Sequence, residues 1–131
     1  MLTIPVAMLY NDWALLAMRI VVALVFASSG FNHLKSPQQR ARSLGLSVPF
    51  TLFLGAAELA GGIALAAGIL TQWAALGLIL VMLGAMYMKA ARWHTGFWGE
   101  KSSGWHYDLL FLVMNLVILT TGGGRFVLMP A

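Results

Sequence analysis

The chain has 131 residues, of which 60% are hydrophobic and 9% charged, with a formal net charge of +4 and a mean hydropathy of +0.84. Such a composition excludes a water-soluble domain, because it leaves too little polar surface to coat one, and the length has room for one bundle of about four spans of twenty residues. Cysteine is absent, which removes disulfides, thiolate metal sites and thiol redox chemistry, so any redox role needs a bound cofactor. The basic residues stand beside apolar runs, where they read as topology signals and headgroup contacts, and no basic region is long enough to bind nucleic acid.

Four apolar runs, at about 13–34, 50–70, 72–91 and 105–121, predict four transmembrane helices. Backbone groups in lipid must be satisfied within their own segment, and continuous Ala/Leu/Gly-rich runs do not supply the alternation of a β-barrel. The expected fold class is therefore an all-α membrane protein, a four-transmembrane-helix bundle forming a single domain over residues 1–131. Trp13, Trp73, Trp93 and Trp105 fall at the ends of these runs, at the headgroup level that Trp favours.

In the first span Arg19, Phe26 and His33 recur every seven residues and share one helix face, with Ser29 and Gly30 one turn before the histidine. This stripe is expected to face inward. Arg19 lies near the outer end of its span, which admits two readings: its side chain snorkels to the interface, or it takes an interior partner such as Glu58. Residues 19–27 have some likeness to a signal peptide, but the eighteen residues before Arg19 include Asp12 and no Lys or Arg, so the span is expected to be retained. Lys35, Arg40 and Arg42 follow in a first connection bracketed by Pro37 and Pro49, both read as helix stops.

The second span holds the least expected residue. From Thr51 to Leu70 the only ionisable side chain is Glu58. An ionised carboxylate at bilayer depth costs several kcal/mol, so Glu58 must be neutral, paired with a cation from another helix, or turned towards an internal cavity. Gly55, Gly61, Gly62 and Gly68 let neighbouring backbones approach closely around it. Counting rise along the two spans sets Arg19 about 9 Å from Glu58 in depth, with Asn115, Lys89 or a water as equally reasonable partners for the carboxylate.

An uncharged corner at Ile69-Leu70-Thr71 leads to the third span, which carries Gly77 and Gly84 and ends at Lys89, Arg92 and His94. A loop with Gly99, Lys101, Ser102, Ser103 and Gly104 follows. On the fourth span Asp108 and Asn115 are seven residues apart on one face. Asp108 falls at the same end as Lys89, which predicts an ion pair locking spans three and four; the alternative is a proton path from Asp108 through Asn115 to Glu58. Gly122 to Gly124 close the span. The two long basic connections, separated by a tight turn, suggest two hairpins, and the positive-inside rule turns the basic loops to the cytoplasm and both termini outward.

His33, His94 and His106 gather on the basic side, but no His-x-x-x-His pair occurs and their spacing is not that of a metal or haem site, so no metal is expected. A quinone head asks for less: a donor for each carbonyl, a proton acceptor and flat apolar walls, which His33, Glu58 and Phe26 could provide.

Read in order, an Arg in span one, GFNHL at Gly30 to Leu34 with Pro37 after it, ELAGGIALAAGILT from Glu58 to Thr71, Lys89 and His94 with GFWG after span three, and glycines closing span four form a pattern. From about Trp13 to Arg125 the chain resembles the DoxX family of small four-helix bacterial and archaeal membrane proteins. The resemblance implies a plasma-membrane subunit tied to respiratory or redox processes, with Arg19, His33, Glu58, Lys89 and His94 at family-like polar positions. The tail from Phe126 departs from the pattern, lacking the Ser and Asp that often follow the family's glycines. Taken together, these readings predict a quinone-linked accessory subunit, not catalytic alone, whose partners are the lipid bilayer and other membrane subunits or a second copy. A small transporter or proton-conducting bundle using Glu58, and a structural scaffold, are the rival readings.

Overall fold

The computed structural model describes residues 3–99 and 104–129. Lys101, Ser102 and Ser103 of the third connection lie outside the described residues. The elements are α1 (Pro5–Met8), α2 (Asn11–Lys35), α3 (Pro37–Leu44), α4 (Val48–Ala67), α5 (Thr71–Tyr87) running on as a π-helical turn (Met88–Arg92), and α6 (Trp105–Thr121). α2, α4 and α5 with its π turn are each long and apolar enough to cross a membrane, and α6 is a shorter apolar helix. At about 1.5 Å per residue α6 reaches about 25 Å.

The first connection departs from expectation. Pro37 and Pro49 start helices instead of stopping them. Pro37 stands in the first turn of α3 and Pro49 in the first turn of α4, where their missing N–H groups have no intrahelical acceptor to lose. Gly45 ends α3 in the left-handed conformation, φ 72°, and the Ser47 hydroxyl caps α4 by accepting from the Phe50 N–H at 3.3 Å. The segment is thus a short polar helix, of which only Ala41 is buried.

α2 packs chiefly on α4 and α5 on α6, with α4 against α5 joining the two pairs. This is the two-hairpin plan that the loop lengths suggested. The α2–α4 seam is built from small residues: a methyl on Gly30 would come within 2.5 Å of the Gly55 carbonyl and the Leu59 amide, and one on Gly62 within 2.9 Å of the Ala27 amide. Backbones this close gain dispersion contact that lipid cannot replace. Across the middle of the bundle Val22, Leu65, Ala75 and Ile118 are completely buried, while Leu24, Phe53, Ile63, Leu80, Leu83 and Leu110 point outward. An apolar surface of this extent suits lipid, not water.

Candidate functional site

Polar side chains gather at the two ends of the bundle, with the apolar layer between them. At the basic end the seam fixes the geometry: Gly30 lies against Gly55 and Leu59, and the Cβ of His33 faces Gly55. Glu58, one turn beyond Gly55 on the same face, is therefore level with Ser29 and Gly30. Glu58 is 6% exposed and His33 7%. Glu58 Oε2 and His33 Nδ1 are both buried without a well-formed hydrogen bond, Ser29 being the polar neighbour of each. The Ser29 side chain lies beside the Glu58 carboxyl, and Arg40 of α3 is within electrostatic range of both His33 and Glu58. Two helices and the polar α3 thus supply the cluster, and buried polar atoms left open in this way are uncommon and call for a reason.

The other polar residues of this end have separate occupations. Lys89 Nζ lies 3.0 Å from Asp108 Oδ2 and 5.3 Å from the centre of the Tyr107 ring, the expected ion pair between the third and fourth spans. The π turn supports it, since the N–H and hydroxyl of Thr95 both donate to the Lys89 carbonyl. His106 Nδ1 is 2.7 Å from the Phe97 carbonyl, and its ring stands against those of Phe97 and Trp98. His94 is exposed, on a left-handed backbone with φ 53°. The three histidines are thus dispersed, and among the described residues no three His, Asp or Glu side chains are close enough to share a metal ion.

Asn115 is completely buried but turned back on its own helix, its Nδ2 donating to the Phe111 carbonyl at 2.8 Å while Oδ1 has no partner. Phe26 packs edge-on against Phe111 with ring centres 5.8 Å apart, as a member of the apolar core.

Arg19 belongs to the opposite end. It faces the interior, 1% exposed, and its Nη2 donates to the Phe126 carbonyl at 2.6 Å. Its side chain lies against Gly68 and Gly123, where a methyl would come within 2.9 Å of it in each case. Gly68 is ten residues from Glu58, about 15 Å along α4, so Arg19 is not the partner of the carboxylate. The helix register, set by the glycine seam, makes the depth difference larger than the counted one. Thr71 Oγ1 donates to the Gly122 carbonyl at 2.7 Å, and the Leu128 and Met129 N–H groups donate to the Ala67 and Gly68 carbonyls. Arg125 pairs with Asp12, its N–H 3.1 Å from Oδ1. The tail beyond Gly124 is thereby fastened over this end of the bundle.

The sequence profile of DoxX matches residues 14–91. The chain belongs to the DoxX family. It is also similar to the uncharacterized membrane protein Rv3486 of Mycobacterium tuberculosis, 29% identical over an alignment of 127 positions, with 86% of this chain and 77% of that protein covered. No solved structure matches. The DoxX match takes in Arg19, Ser29, His33, Glu58 and Lys89, whereas His94, Asp108 and Asn115 lie beyond it.

Ser29 and Arg40 are the residues whose part in the cluster was least visible in sequence. Arg40 read as a topology charge in a loop. The signal for its position was present in PQQRARSLG, a proline-started and glycine-ended helix that brings Arg40 back over the end of α2.

Proposed function

We propose that this DoxX protein is an accessory subunit of a quinone-linked redox system of the plasma membrane, with its basic end towards the cytoplasm. The carrying observation is the pair of open polar atoms, His33 Nδ1 and Glu58 Oε2, buried on facing helices beside Ser29. An imidazole N–H or a protonated carboxyl can donate to the carbonyl oxygens of a quinone head, and an imidazole nitrogen or a carboxylate oxygen can accept from the hydroxyls of the reduced quinol. Phe26 is engaged with Phe111 in the apolar core, so it is not assigned to the walls of this site. A bound quinone would supply two-electron redox chemistry. The chain's own part is to bind the head, exclude water and hold a proton at the Glu58 carboxyl. With no cysteine in the chain, thiols are excluded as the electron source, and in this reading a partner subunit supplies the electrons.

The test is gentle purification followed by mass spectrometry of the extracted lipids and co-purified proteins. Quinone should accompany the wild type and be at least severalfold depleted in Glu58→Gln and His33→Ala. Recovery of neither quinone nor a redox partner, with unchanged quinol oxidation in a deletion strain, would overturn the reading.

A further inference from the structure

At the basic end a second polar feature adjoins the Glu58 cluster and shares Arg40 with it. A cleft of about 270 Å³ opens between the last turn of α2 and one face of α3, lined by Asn32, Lys35, Ser36, Gln39, Arg40 and Ser43. These positions recur at three- and four-residue intervals, so one polar face continues across the break between the helices. Every lining side chain can donate a hydrogen bond, two carry positive charge, and none is a carboxylate. The depth is also informative. α2 has 25 residues, about 37 Å of helix against a hydrocarbon core of about 30 Å, so its Lys35 end emerges at headgroup level.

We infer that this cleft binds a phosphate group, carried by an anionic phospholipid headgroup or free in solution. An ammonium and a guanidinium on its walls, with neutral amide and hydroxyl donors between them, match the several acceptor oxygens of a phosphate. A diffuse basic surface would attract the same anions, but it would not distinguish Arg40, which lines the cleft, from Arg42, which is exposed on α3 and does not line it.

The experiment follows the melting temperature of the purified protein in neutral detergent during titration with phosphatidylglycerol in mixed micelles, inorganic phosphate at constant ionic strength, or phosphatidylcholine. Phosphatidylglycerol or inorganic phosphate should raise the melting temperature saturably, whereas phosphatidylcholine should not; which of the two acts tells the lipid source from the free anion. Arg40→Gln and Lys35→Gln should each raise the half-saturating concentration about tenfold, the loss expected for one charge-assisted contact, while Arg42→Gln keeps the wild-type value. Lys35 is exposed, so its variant reports even if Arg40→Gln does not fold. No stabilisation by either phosphate source, or an equal loss in Arg42→Gln, overturns the proposal. None of these readouts involves quinone, so the result is independent of the redox reading.

Discussion

Glycine is one residue type with two opposite uses in this bundle. At Gly30 a methyl group would meet backbone on the facing helix at 2.5 Å, and backbone on a packed seam cannot step aside. Gly77 has nothing within 4 Å of the same position. Gly30→Ala should therefore lower stability by about 2 kcal/mol or more through forced separation of α2 and α4, whereas Gly77→Ala should raise it by up to about 1 kcal/mol from helix propensity alone. Thermal or denaturant unfolding in detergent checks both signs. The close glycine packing of span two was legible in the sequence, since Gly55 and Gly62 flank Glu58 there. Its register was not. Which glycine meets which neighbour decides that Glu58 is level with Ser29, and that Arg19 is ten residues away along α4; composition carries no information on that alignment.

Helix α5 is fastened to α6 by a pair that spacing had suggested and geometry supplies. The side chain of Asp108 is 4% exposed and that of Lys89 15%. Removing one partner leaves the other charge buried and uncompensated, so Lys89→Gln or Asp108→Asn alone should cost about 2 to 4 kcal/mol. The double variant should be more stable than the sum of the two losses implies, by a coupling of about 1 kcal/mol or more. Additive losses in a double-mutant cycle would mean that the contact contributes nothing. At this scale most of the structure was readable: α6 begins and ends where its hydropathy predicts, and α5 needed only its final π turn. The exceptions were the four-residue α1, which no run had marked, and α3. Proline was read as a stop, although at the first turn of a helix it is a start, and an eight-residue polar segment gives too short a pattern to correct that reading.

The arrangement of polarity across the whole molecule bears on the choice between a one-sided site and a path. Arg19, Thr71 and the fastened tail occupy one end, His33, Glu58 and the Lys89–Asp108 pair the other, and the completely buried Val22, Leu65, Ala75 and Ile118 lie between. Asn115, the polar residue next to this layer on α6, donates to its own helix. An apolar layer offers a proton no relay, so proteoliposomes containing the protein should acidify no faster than empty ones, and Glu58→Gln should leave that rate unchanged. A Glu58-dependent flux would favour the transporter reading instead.

Orientation is testable on the same whole-molecule scale, and the lack of cysteine makes the test clean. Gln38 is exposed on α3 at the basic end, while Thr3 and Met129 are exposed near the termini at the other. The excess of Lys and Arg next to the first and third connections should hold that end in the cytoplasm, because translocating basic residues is opposed. A Gln38→Cys variant should therefore react with a membrane-impermeant maleimide only after the cells are permeabilised. Thr3→Cys and Met129→Cys should react in intact cells. The reverse pattern would turn the phosphate-binding cleft and the Glu58 cluster outward, and any redox partner would then have to approach from the external face.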